Sequence, residues 1–196
     1  MPVEDLSILV IDQDALRASI LEDGFREAGY TRVNVVNDMN NLMRRILEID
    51  PDVIFIDLEN PNRDVLEHMF QVSRSVQRPV AMFVDQSDTA MIEAAVDAGV
   101  STYIVDGLKK ERIKPILDTT ISRFNAVNRL RQELEQTKTE LAERKVIDRA
   151  KGILMKARDL SEDEAYKLLR KTAMDQNRRV SQVAESLVTA AGLLKD

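Results

Sequence analysis

Five times within the first 120 residues, a short apolar run rich in β-branched residues is followed by a longer stretch with helical periodicity. Nothing else in the chain restricts its fold as strongly, because strands buried on both faces read as continuous apolar runs and parallel strands need helical crossovers. Ile8-Leu9-Val10-Ile11 is the first run and ends abruptly in Asp12-Gln13-Asp14. A helix is predicted over 15–28, with Leu16, Ile20, Leu21 and Phe25 on one face and Gly29 as its stop. Strands at Val33–Val36, Val53–Ile56, Pro79–Val84 and Thr102–Val105 follow, separated by helices over about 38–49 and 89–98, with Pro51 and Gly99 as punctuation. A further helix starts near Lys110. Repeated strand then helix predicts a five-stranded, doubly wound parallel α/β sheet.

From Ile116 to about Ala157 there is no convincing break in the pattern, and Val127, Leu130, Leu134, Thr137 and Leu141 recur at spacings of three and four. That seam suits either a solvent-exposed connecting helix or a dimeric coiled coil through Leu130, Leu134 and Leu141, and pairing is the favoured expectation. Two more helices are expected. Ser161-Glu162-Asp163-Glu164 forms a capping box for one from about 162, and another starts near Val180, with Gly192 placed just past its end. The organisation is therefore 1–120, a doubly wound domain; 121–142, a connecting helix; and 143–196, an all-α domain.

Several chemistries are excluded by residue type. The chain has no cysteine and a single histidine, His68, which rules out thiolate nucleophiles, cysteine-based metal centres and multi-histidine metal sites. No apolar run is long enough to span a bilayer and the first residues are acidic, so a cytoplasmic protein without a membrane partner is expected. Charge is uneven. Residues 1–142 hold 16 Lys and Arg against 25 Asp and Glu, whereas residues 143–196 hold 12 against 9. An acidic body with a basic tail directs attention to nucleic acid, although solvated helix faces carry the same composition.

Ligands of open parallel sheets sit beyond the carboxyl ends of the strands, where Asp12, Asp14 and Asp57 all fall. Clustered carboxylates suit Mg²⁺, while strand-terminal aspartates also cap the helices that follow. Residues 5–120 resemble the receiver domains of two-component response regulators, through Ile8–Asp12 and Val53–Asp57. The resemblance makes Asp57 the candidate phosphoacceptor and assigns Mg²⁺ ligation to Asp12, Gln13, Asp57 and the backbone carbonyl of Glu59. Three positions depart from the family pattern: Gln13 replaces an acid, Val84 a hydroxyl residue and Asp106 a lysine. Each change opposes stabilisation of a phosphoryl group. Ser87 and Asp14 are nearby substitutes whose spacing does not fit, and Tyr103 stands where receivers often carry an aromatic switch, or simply packs.

Residues 143–192 resemble an ANTAR domain through the blocks Arg144–Met155, Leu160–Lys171, Asn177–Val180 and Val183–Val188. Domains of that family bind RNA as paired stem-loops in nascent transcripts, in the context of RNA polymerase, and act as antiterminators. The combination with a receiver resembles regulators of the nitrate-assimilation antiterminator type, in which a nitrate-sensing regulatory protein withholds the regulator from RNA. Matching residues Arg149, Lys151, Arg170, Asn177, Arg178 and Arg179 are the expected RNA contacts, in a protein that is a homodimer when active. Asn177 either reads a base edge or caps a helix, and Tyr166 either stacks on a base or is partly buried. Gly152, costly inside a helix, is read as a site of close approach, by a packing helix in the first instance. Met155 and Met174 are read as packing residues. A DNA-binding regulator and a protein-interaction adaptor are the alternatives; Val183–Gly192 contains no Lys or Arg with which to enter a major groove. No independent enzyme is expected, since the acidic pocket has no neighbouring acid–base pair or nucleotide loop.

Overall fold

The structure is a computed structural model and describes residues 6–59, 61–105 and 110–193. Strands β1 (Ser7–Asp12), β2 (Arg32–Val36), β3 (Val53–Leu58), β4 (Val80–Val84) and β5 (Thr102–Val105) form one parallel sheet in the order β2-β1-β3-β4-β5. Helices α1 (Ala15–Glu27), α2 (Leu42–Ile49), α3 (Arg63–Ser75) and α4 (Thr89–Asp97) connect them. A 3₁₀ turn at Lys110–Arg112 leads into α5 (Ile113–Arg158). The chain forms two compact units, Met1–Asn128 and Arg129–Asp196, with α5 contributing to both. Among the described residues, no helix is long and apolar enough to cross a membrane.

Alternation along each strand feeds two cores. Ile8, Val10, Val53, Phe55, Ala81 and Phe83 point to one side, where Leu21 and Phe25 of α1 and Ile113, Ile116 and Leu117 of α5 cover them. Leu9, Ile11, Ile54, Ile56, Val80 and Met82 point to the other, against α2, α3 and α4. Phe25, Phe55 and Phe83 form an aromatic column with centroid spacings of 4.7 and 5.8 Å.

Two expectations about helices are corrected here. Leu16 and Ile20 are 73% and 46% exposed, and α1 instead buries Ala18, Leu21, Gly24 and Phe25. The true face is built on the spacing of 18, 21 and 25, with small residues filling it close to the sheet. Helix α2 begins at Leu42, not near 38, because Asn41 before it has a left-handed backbone, φ 55°.

The second unit packs the end of α5 against α6 (Glu162–Asp175) and α7 (Val180–Leu193). Ala150, Ala165, Ala173 and Ala184 are almost wholly buried, letting the helix backbones come close, while Leu154, Leu169 and Val183 fill the remaining space. The capping box is formed: Ser161 Oγ accepts from the Glu164 amide at 3.4 Å and the Glu164 carboxylate accepts from the Ser161 amide at 2.9 Å. Gly192 lies inside α7 and does not follow it. Apart from its own helix, no atom of the described residues lies within 4 Å of the position a Cβ on Gly152 would take, so close packing by a neighbouring helix does not account for that glycine.

Candidate functional site

The sheet order reverses between β1 and β3, and their register sets Asp12 beside Asp57 at the carboxyl edge. Asp12 is fully buried and Asp57 nearly so. Around them opens a cavity of about 350 Å³ lined by Gln13, Asp14, Arg17, Asp57, Leu58, Glu59, Pro61, Asn62 and Val65. Burial, reinforced by the Asp12 charge and partly offset by Arg17, pushes the Asp57 carboxyl up to about 6.

Arg17, which motif reading passed over, holds the centre of this pocket. Its Nη2 and Nε donate to Asp12 Oδ1 and Oδ2 at 2.9 and 3.3 Å, and its Nη1 donates to Glu59 Oε2 at 2.5 Å. These anions raise its pKa, the hydrogen bond to Asp12 contributing most. A sequence signal for it exists. With Asp14 as N-cap, Arg17 stands in the first turn of α1, where the helix dipole disfavours a cation unless an anion holds it there.

The other predicted pocket residues divide. Glu59 brings its carboxylate to Arg17, a role not foreseen when only its carbonyl was assigned one. Asp14 is occupied as the cap of α1, accepting from the amides of Leu16 and Arg17 at 2.8 and 3.1 Å, and those bonds lower its pKa. Gln13 is exposed at the cavity edge. Val84 is buried in β4 beside Leu58, offering no hydroxyl. The Ser87 hydroxyl is 3.0 Å from the Tyr103 hydroxyl, and the Tyr103 ring packs against the core behind β4. Asp106 lies outside the described residues.

In the second unit, a groove of about 560 Å³ is lined by Glu143, Ile147, Arg170, Ala173, Met174, Asn177, Arg178, Arg179, Val180 and Ser181. Four of the six expected RNA contacts meet here. Asn177 has φ 49° and ends α6: its amide donates to Met174 O at 3.1 Å and that of Arg178 to Ala173 O at 2.9 Å, a Schellman motif. Asparagine tolerates this left-handed position, and its side chain remains exposed. The Arg178 guanidinium lies along α7, donating to Gln182 O and Ser186 Oγ at 3.0 and 2.9 Å. Among the described residues, Arg170 and Arg179 form no ion pair.

Lys151 and Arg149 stand apart from the groove. Lys151 Nζ bridges Asp148 at 2.7 Å and Glu162 at 2.6 Å, tying α5 to the start of α6, and its side chain is only 15% exposed. Those two hydrogen bonds raise the lysine's pKa. Arg149 is exposed on α5. Tyr166 is half-exposed, and Met174, expected to pack, is largely exposed at the groove.

Residues 8–118 match the response regulator receiver domain and residues 135–188 match the ANTAR domain. The transcriptional regulatory protein PdtaR of Mycobacterium tuberculosis is 27% identical over 189 residues, 96% of this chain and 92% of that protein. A nitrate regulatory protein of Klebsiella oxytoca is 35% identical over 80 residues, covering 41% of this chain and 20% of that protein. The receiver domain of a diguanylate cyclase from Desulfovibrio desulfuricans superposes with a TM-score of 0.53 at 15% identity, over 62% of this chain and 97% of its own. The chain belongs to the response regulators, with a receiver domain followed by an ANTAR domain. Receiver domains typically bind Mg²⁺ at the phosphorylation site, but the donors here do not fit that ion. The oxygens of Asp12 are already bonded, Gln13 brings no charge, and among the described residues no three acidic or histidine side chains converge as a metal site.

Proposed function

We propose that the protein is an RNA-binding transcription antiterminator that recognises paired stem-loops in nascent mRNA leaders. The observation that carries this reading is the groove at the α6–α7 turn, where Arg170, Arg178 and Arg179 surround an exposed Asn177 within the ANTAR-matched residues. Guanidinium groups hold phosphates bidentately, and an unbonded amide beside them reads a base edge. Unpaired loop bases are what such a groove admits, since paired RNA conceals its base edges in a narrow major groove. Arg149 contributes an outlying phosphate contact, while Lys151 holds α5 and α6 together.

A homodimer would address both members of a stem-loop pair together, and the exposed Leu130, Leu134 and Leu141 offer the seam for it. A nitrate-sensing regulatory protein is the proposed controller, supported by the likeness to the Klebsiella oxytoca nitrate regulatory protein and by a pocket poorly suited to a phosphoryl group. Sequencing RNA that co-purifies with the protein tests the reading, with retention on hairpin RNA and duplex DNA compared across salt concentrations. Enrichment of leader transcripts with tandem hairpins is expected. Equal retention on duplex DNA, or no enriched RNA, would refute it.

A further inference from the structure

We propose that Arg17 is the resident cation of the receiver pocket, standing in the place of a divalent metal ion and closing the pocket to it. The inference does not depend on RNA binding. Asp12 is buried completely, and a buried carboxylate needs a partner that satisfies both its charge and its lone pairs. Arg17 and the backbone supply it with three hydrogen bonds and a countercharge. Asp12 Oδ1 accepts from the Asp14 amide at 2.8 Å and from Arg17 Nη2 at 2.9 Å, and Oδ2 accepts from Arg17 Nε at 3.3 Å. The remaining edge of the guanidinium reaches Glu59 across the cavity mouth, so one side chain joins the ends of β1 and β3.

A metal ion would need the same oxygens. Mg²⁺ binds carboxylates at about 2.0–2.1 Å in a near-octahedral shell and gives up its waters reluctantly, so it cannot share Asp12 with a guanidinium already bonded along it. Two cations in this small space would also repel strongly at the reduced dielectric of a buried site. Arginine, unlike lysine, stays charged and presents a planar fork of donors, which suits it to permanent occupancy. Its place in the first turn of α1, against the helix dipole, is explained by the anions it serves. The pocket thus keeps one charge state whether or not divalent ions are present.

The experiment uses the full chain and Mn²⁺ as the probe, with free Mn²⁺ read by electron paramagnetic resonance. Wild type should leave the Mn²⁺ signal undiminished beyond non-specific binding. Arg17→Ala and Arg17→Gln should each gain one saturable site, about tenfold or more tighter than any binding to wild type. Adding Asp57→Asn to Arg17→Ala should abolish that gain. Melting provides the second readout: Mg²⁺ should raise the midpoint of the Arg17 variants and leave wild type unchanged at matched ionic strength. Saturable Mn²⁺ binding to wild type that Asp57→Asn removes would overturn the proposal, and so would folded Arg17 variants that gain no site. Should Arg17→Ala fail to fold, Arg17→Gln, which retains a hydrogen-bonding stem, and the wild-type titration still decide. Neither readout involves RNA, so failure here is distinct from failure of the antiterminator reading.

Discussion

Asp57 stands in a place that disfavours its own charge. Burial and the Asp12 carboxylate hold its pKa near 6, against an ordinary 3.8, so the folded protein retains a proton there that the unfolded chain releases. Because the folded state binds more protons between those values, stability falls as pH rises from about 4 to about 6, and the penalty is complete above 6. In metal-free buffer Asp57→Asn should therefore stabilise the protein by up to about 3 kcal/mol at pH 8, with the gain shrinking as pH drops toward 4. Denaturant unfolding at both pH values checks this; equal gains at the two would contradict it. Gly152 presents the opposite situation, a residue whose cost has no return inside the chain. Glycine within a helix is less favourable than alanine by about 1 kcal/mol, yet among the described residues nothing outside its own helix occupies the space its missing Cβ leaves. The open backbone is then available to something outside the chain, and RNA is the proposed occupant. Gly152→Ala should melt higher than wild type while binding hairpin RNA more weakly. An alanine variant that binds RNA as wild type does would show that nothing approaches there.

At the scale of elements, α5 exposes more than half of each of Leu130, Leu134 and Leu141. The polar member of the seam is no obstacle, because the Thr137 hydroxyl is satisfied on its own helix, donating to Glu133 O at 2.8 Å. Leu134→Lys should shift sedimentation from dimer to monomer and weaken binding to paired hairpins far more than to one. Identical masses for variant and wild type would remove the seam. The long uninterrupted helix, the five strands and the capping box were all legible from residue order. Parallel strands buried on both sides are written as unbroken apolar runs, and caps as short motifs. The face of α1 was not, because scanning for large apolar residues selects Leu16 and Ile20 and passes over Ala18, whose small side chain is what the close packing uses. Arg17 escaped for a related reason. A search of the pocket for carboxylates does not ask which cation those carboxylates already hold, and only the fold brings Glu59 to the arginine 42 residues away.

For the whole molecule, the question is whether the receiver commands the RNA-binding unit through phosphorylation. A phosphoryl group on Asp57 would add charge to a site that already contains Asp12 and Glu59, with Val84 offering no hydroxyl to it. Arg17 is the one cation at the pocket among the described residues, and its donors are committed to Asp12 and Glu59, so accommodating a phosphoryl group would mean breaking a buried pair. A switch driven this way would need the phosphoryl group to favour one state strongly over the other, since an effector shifts an equilibrium only by its difference in affinity for the two. Small phosphodonors with Mg²⁺ should accordingly modify Asp57 slowly or not at all, and Asp57→Ala should leave RNA affinity within about twofold of wild type. Intact-protein mass spectrometry and hairpin binding on the same samples test both halves. Rapid stoichiometric phosphorylation coupled to a large gain in RNA affinity would restore the receiver as a phosphorylation switch. Modification without that gain would show that the pocket can react but no longer reports to the helices beyond it. No modification, with RNA binding intact, leaves control to a protein partner that recognises the receiver's surface and not the charge of its pocket.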